Sequence, residues 1–282
     1  MHASETPSVV LRHLPGTPRL ELRWIGAGVT HDASMRPRAP IVFLHEGLGS
    51  VAAWRGFPDR LCAACGLSGL VYSRPGYGRS TPRRADARWG PRYLHAQAEE
   101  VLPALLAALG IQRPWLFGHS DGATIALLYA AAFPDAVTGA VVLAPHVFVE
   151  QKALDGIARV RLAYEAGPLR ERLARVQADP DSAFYGWCDA WLAPAFRHWN
   201  IEADIAGLRA PLLAMQGEDD AYGTLEQIDR IARIVPHAER LVLPRCGHIP
   251  QRDAPQQVID ATRDFIARHR GHAAPGIPAP SA

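Results

Sequence analysis

The stretch Trp115-Leu116-Phe117-Gly118-His119-Ser120-Asp121-Gly122-Ala123 decides how this chain is read. Trp115 to Gly118 has the character of a short buried strand, and Ala123 to Phe133 is a strongly apolar helix that stops at Pro134. Between them lies the pattern GxSxG, which puts Ser120 where a strand hands over to a helix. A residue at such a hand-over sits on a sharp, strained turn. The positions two residues to either side must be small for strand and helix to approach, and Gly118 and Gly122 meet that demand. Ser120 is therefore the candidate nucleophile.

A serine hydroxyl is a weak nucleophile at neutral pH, so a base must stand beside it and a third group must orient that base. The chain offers both farther along. After an apolar run at Leu212 to Gln216 comes Gly217-Glu218-Asp219-Asp220, and after a run at Arg240 to Leu243 comes Cys246-Gly247-His248-Ile249-Pro250. His248 is the best placed of twelve histidines, while spacing alone leaves Glu218, Asp219 and Asp220 open as the acid. Each candidate follows the carboxyl end of a predicted strand, the edge at which open α/β sheets build their sites. Acyl transfer also needs backbone N–H donors for the developing oxyanion. The Asp121 amide at a helix N-terminus is one source, and the loop His45-Glu46-Gly47-Leu48-Gly49-Ser50 is the other.

Outward from these loops the pattern is an α/β one. Ile41 to Leu44, Gly69 to Ser73 and Ala140 to Ala144 read as further strands, and helical periodicity lies between them. Pro103 should kink the helix that carries Leu94, Ala98, Val101, Leu102, Leu105 and Leu109. The expected fold class is a mostly parallel, doubly wound α/β sheet with a helical cap insertion. Residues 1–144 and 206–270 form the core, 145–205 the cap, and 271–282 a disordered tail rich in proline, alanine and glycine. The cap is dense in aromatic residues, among them Trp187 and Trp191, and its six arginines Arg159, Arg161, Arg170, Arg172, Arg175 and Arg197 are candidates for binding a substrate carboxylate.

The 282 residues, 48% of them hydrophobic, suffice for one large core, and a formal charge of +2 spread along the chain argues against a nucleic-acid footprint. Met1 to Val10 lacks the pattern of a secretory signal, and no stretch has the length of apolar sequence needed to span a bilayer. A cytoplasmic protein acting on a small-molecule substrate, without membrane or nucleic-acid partners and with a homodimer allowed, is the expectation. Cys62 and Cys65 form a CxxC in a helix-like stretch without further ligands, which reads as buried packing. No dinucleotide fingerprint, phosphate loop or metal-ligand cluster occurs, so no cofactor and no metal are expected.

LHEGLGS at 44–50, SRPGYGRS at 73–80, GHSDG at 118–122, GEDD at 217–220 and CGHIPQRDAP at 246–255 together resemble the successive signature loops of the α/β-hydrolase superfamily. They stand in the family's order over about Ile41 to Arg270 and are closest to the capped serine esterase and C–C hydrolase branch. The resemblance implies Ser120 as nucleophile, Asp220 as the acid, His248 as the base and the Gly47 and Asp121 amides as the oxyanion hole. It also implies that the insertion after the sixth strand is a lid. Glu46, Leu48, His146, Trp187 and Trp191 are the candidate substrate-binding residues.

One position departs from the family, whose first loop usually reads His-Gly where this chain has His45-Glu46. Glutamate lacks glycine's conformational freedom, so the expectation is a strained loop, or a carboxylate carried toward the pocket, either paired with Arg55 or Arg74 or left as a solvated group on the rim. Serine at the elbow separates the chain from the dehalogenases and epoxide hydrolases of similar layout, which use aspartate there. Three functions follow: a hydrolase of a carboxylic ester, lactone or thioester working through an acyl-enzyme; a C–C bond hydrolase of aromatic-degradation diketones; and a non-catalytic ligand receptor on a hydrolase fold.

Overall fold

The computed structural model describes residues 9–12, 18–26 and 39–270. The expected tail at 271–282 and the first eight residues, on which the signal reading rests, lie outside the described residues. Eight strands form one sheet: β1 (Val9–Arg12), β2 (Leu20–Ile25), β3 (Ile41–Leu44), β4 (Gly69–Ser73), β5 (Trp115–His119), β6 (Gly139–Leu143), β7 (Leu212–Gly217) and β8 (Glu239–Leu243). Their spatial order is β1-β2-β4-β3-β5-β6-β7-β8. From β4 to β8 every pairing is parallel, and β1 and β2 add an antiparallel edge.

Helices cover both faces. In chain order they are α1 (Phe57–Cys65), α2 (Tyr93–Ala96), α3 (Leu102–Ala108), α4 (Asp121–Ala132), α5 (Gln151–Glu165), α6 (Pro168–Leu173), α7 (Pro180–Leu192), α8 (Glu202–Ile205), α9 (Glu226–Ile234), α10 (Pro250–Asp253) and α11 (Pro255–His269). Alternation along the strands divides the core in two. Val42, Leu44 and Leu116 face a layer built with α4, whereas Ile41, Phe43, Trp115 and Phe117 face α1 and α11. Because both faces are covered, the central strands are apolar throughout, which is why they stand out as short hydrophobic runs.

Cys62 and Cys65 are buried thiols in α1, and burial pushes them up to about 12 and about 11. The expected disturbance at Pro103 takes the form of a π-turn over Gln97–Val101, immediately before the proline-containing start of α3. A residue with no N–H cannot close the preceding α-turn, and the wider turn takes up the mismatch. Between β6 and β7 the chain leaves the sheet as α5 to α8 and returns with no strand of its own, apart from a single bridge between Phe148 and Asn200. Tyr164 stacks on Phe184 and Phe196 on Trp199 within this insertion, so much of its aromatic content fills its own core.

Candidate active site

The sharp bend after β5 is where the fold concentrates strain. Ser120 has φ 52° and ψ −116°, a conformation costly for a residue with a side chain. The surroundings permit no alternative. A Cβ on Gly118 would lie 2.3 Å from the Gly122 carbonyl oxygen, and one on Gly122 would lie 2.0 Å from the carbonyl oxygen of Leu44 in β3. Both glycines are thus required by the close approach of α4 to β5 and β3. Gly122→Ala should cost about 3 kcal/mol of stability, read as a lowered melting temperature, because the clash is with backbone and cannot be relieved by a rotamer change.

Three loops bring the candidate triad together. Ser120 Oγ lies 3.0 Å from His248 Nε2, and His248 Nδ1 lies 2.8 Å from Asp220 Oδ2 and 2.9 Å from Oδ1. Of the three acids open from spacing, Glu218 and Asp219 are exposed, whereas Asp220 is buried behind the histidine. Asp220 also accepts from Gln216 Nε2 at 2.7 Å and from the Tyr222 and Gly223 amides at 2.8 and 3.2 Å. Burial alone would push its carboxyl up, but the hydrogen bond and charge of His248 and the Tyr222 amide outweigh it and hold the pKa below the usual value. With an anion at Nδ1, the His248 Nε2 lone pair is left facing the serine.

The candidate oxyanion donors flank the same hydroxyl. Asp121 is the first residue of α4, so its amide has no acceptor within the helix. Gly47 and Asp121 both line the cavity beside Ser120, and Gly47 must be glycine because a Cβ there would meet the Trp187 indole nitrogen at 2.1 Å. The Asp121 side chain is buried and accepts from Tyr93 Oη at 2.8 Å and Trp191 Nε1 at 3.3 Å, with Arg74 at 3.6 Å.

Glu46 reaches the cavity wall, but without the expected partner. It takes no positive φ, and its carboxylate is paired with neither Arg55 nor Arg74. Oε2 instead lies 3.5 Å from His119 Nδ1, while Arg74 gives its guanidinium to the Glu46 carbonyl at 2.9 Å. The reason is register. Leu44 pairs with Gly118 across the parallel strands, so the residues that follow each of them emerge side by side. His119 in turn lies with Nε2 2.6 Å from the His248 carbonyl oxygen, and its Nδ1 meets Gln251 at 3.0 Å.

A cavity of about 450 Å³ opens over these groups. Glu46, Leu48, His146, Trp187 and Trp191 all line it, and Ile157 and Tyr222 join them. None of the six arginines singled out in the insertion between β6 and β7 lines it. Arg161 pairs instead with Glu165 and Asp189, and Arg170 with Asp181. His146 is buried with its Nδ1 lacking a hydrogen-bond partner, and burial lowers its pKa to about 3.

Sequence reasoning missed Gln177, which no periodicity or motif marks. Its Nε2 donates to the Leu48 and Gly49 carbonyls at 2.8 and 3.0 Å, and its Oε1 accepts from the Gly78 amide at 2.5 Å. One buried amide thereby ties the insertion to the loop that carries Gly47.

Comparison with known proteins agrees with this architecture. Residues 39–185 match the family described as alpha/beta hydrolase fold. The chain is 23% identical over 256 residues to the 2-hydroxy-6-oxo-6-phenylhexa-2,4-dienoate hydrolase of Burkholderia cepacia, covering 80% of this chain and 87% of that one. Among solved structures it is similar to a thermophilic esterase from Thermogutta terrifontis, with a TM-score of 0.67 and 20% identity over 93% of this chain and 97% of the other. It is likewise similar to the enol-lactonase from Burkholderia xenovorans, with a TM-score of 0.67 and 19% identity over 92% and 100%.

Proposed function

The chain belongs to the alpha/beta hydrolase fold family and is an enzyme of the hydrolase class, and from that premise we propose that it is a serine hydrolase acting on a carboxylic ester, lactone or thioester of moderate size and partly apolar character. The observation that carries this reading is the continuous contact from Ser120 Oγ through the His248 ring to Asp220, with separations of 3.0 and 2.8 Å.

In the first half-reaction His248 Nε2 takes the Ser120 proton as Oγ bonds to the substrate carbonyl carbon. Charge then develops on the carbonyl oxygen and is met by the Gly47 and Asp121 amides, each worth on the order of 2.7–4 kcal/mol in such sites. Collapse expels the alkoxide or thiolate, which leaves with the proton from His248 and an ester on Ser120. Water then enters, gives a proton to His248 and bonds to the acyl carbon, and the acid departs as Oγ recovers the proton. The helices between β6 and β7 act as a cap over the cavity, supplying Trp187 and Trp191 as apolar walls.

C–C bond cleavage of a diketone is the second reading, supported by the name of the Burkholderia cepacia relative. Its substrate carries a carboxylate, whereas Arg252, the one guanidinium on the cavity wall among the described residues, is tied to Asp253 at 2.9 Å. Ester cleavage is therefore placed first. A panel of p-nitrophenyl esters and ring-fission diketones separates the two. The expected result is measurable kcat/KM on esters, lowered at least 1,000-fold in Ser120→Ala, with diketones no better than esters; a preference for diketones by orders of magnitude would reverse the assignment.

A further inference from the structure

Glu46 is the feature of the cavity that the triad chemistry does not use. Its side chain is 30% exposed and lines the same cavity as Ser120. The carboxylate is held close to two neighbours, with Oε2 3.5 Å from His119 Nδ1 and 2.6 Å from where a Cβ on Gly49 would stand. Asp219 adds an acidic group to the rim, and Arg252 and Asp253 pair at 2.9 Å, so their charges offset one another. Three aromatic rings, Trp187, Trp191 and Tyr222, line the same cavity, and aromatic faces attract cations. His146 supplies a further pocket-lining imidazole whose buried Nδ1 has no hydrogen-bond partner among the described residues.

A cavity with a carboxylate, aromatic walls and no unengaged guanidinium among its described lining residues favours positive charge and opposes a carboxylate-bearing substrate. We propose that the substrate carries an ammonium or quaternary ammonium group near its scissile carbonyl, seated between Glu46 and the Trp187, Trp191 and Tyr222 rings. This inference rests on the reading of Ser120 as nucleophile and names the substrate class of that same site. Burial would raise the Glu46 pKa, but the His119 hydrogen bond and charge hold it down to about 2, so the carboxylate is ionised throughout the working range.

Matched pairs that differ only in charge test the proposal. Acetylcholine and 3,3-dimethylbutyl acetate place the cation on the alcohol side, and p-nitrophenyl 4-(trimethylammonio)butyrate and p-nitrophenyl 5,5-dimethylhexanoate place it on the acyl side. In at least one pair kcat/KM should favour the cation by about tenfold, and in Glu46→Gln that ratio should fall to within about twofold of unity. A ratio of one or below in both pairs overturns the proposal, as does a preference that survives Glu46→Gln. The ratio is internal to each variant, so a general loss of activity on substitution does not obscure it. Tryptophan fluorescence titration of Ser120→Ala protein with the same four compounds reads the preference without turnover. Tighter binding of the cation by a similar factor supports the proposal even if wild-type protein cleaves none of these esters, and equal binding overturns it. Failure of the charge preference is thus distinguished from failure of the serine-hydrolase reading.

Discussion

Asp220→Asn is expected to lower kcat on a short-chain ester by about 10⁴-fold while leaving the protein folded. The side chain has the same shape, so packing in the loop after β7 is kept, but an amide offers one oxygen where the carboxylate offers two. That oxygen is held at the Oδ1 position, where the Tyr222 and Gly223 amides donate, which leaves the amide nitrogen at the Oδ2 position beside Gln216 Nε2. The Asn NH₂ would then face His248 Nδ1, favouring the tautomer that puts the proton on Nε2 and turns it into a donor toward Ser120. A base that cannot accept is useless in the first step, and an imidazolium without an anion behind it is costly in the transition state. Steady-state kinetics alongside a circular dichroism melt would check the result. A loss below tenfold in a folded variant would show that another group orients His248.

The second large effect is acid lability, and its sign follows from two buried histidines. Burial lowers His45 and His146 from 6.5 to about 3. In the folded protein both are neutral over most of the acidic range, whereas in the unfolded chain both bind protons below about pH 6.5. The unfolded state therefore holds more protons between those limits, and stability falls as pH drops from 6.5 toward 3. At pH 5 the two together withdraw about 4 kcal/mol, a large part of the 5–15 kcal/mol typical of a domain. Glu46, lowered to about 2, and Asp220, lowered as well, act in the same direction as their carboxylates protonate at still lower pH. Urea melts at pH 7, 6 and 5 should show this loss, and His146→Gln should make the dependence shallower by about one proton. A stability independent of pH over that span would contradict the burial of these rings as neutral groups.

Much of the architecture could be read from residue order because the inner strands are buried on both faces and so are uniformly apolar. The antiparallel edge could not. Leu20 to Ile25 interposes Glu21 and Arg23 between apolar residues, and both charges are buried and hydrogen-bonded. Glu21 accepts from Ser73 Oγ at 2.6 Å, and Arg23 forms a two-point contact with Asp59 at 2.9 and 3.0 Å. Such a strand becomes recognisable only when its partners are known.

The site divides along the same line. Ser120 and His248 follow from local patterns, since an elbow needs glycines at fixed offsets and a base must follow a strand end. The assignment of Asp220 over its two acidic neighbours came from family resemblance, and contact with His248 is what distinguishes it physically. The partner of Glu46 is not legible in the sequence because it depends on the β3 to β5 register, and no local feature encodes which residue of a parallel neighbour lies alongside. Gln177 was invisible for a related reason. Its three backbone partners belong to loops about a hundred or more residues away, and glutamine carries no pattern of its own.

The central claim is that Ser120 Oγ is a nucleophile activated by His248, and labelling with a fluorophosphonate probe tests it most directly. Folded wild-type protein should gain one phosphonyl group, mapped by peptide mass spectrometry to Ser120, and His248→Ala should label at least 100-fold more slowly. Absence of an adduct on Ser120, or labelling that proceeds equally fast without the His248 imidazole, would contradict the account.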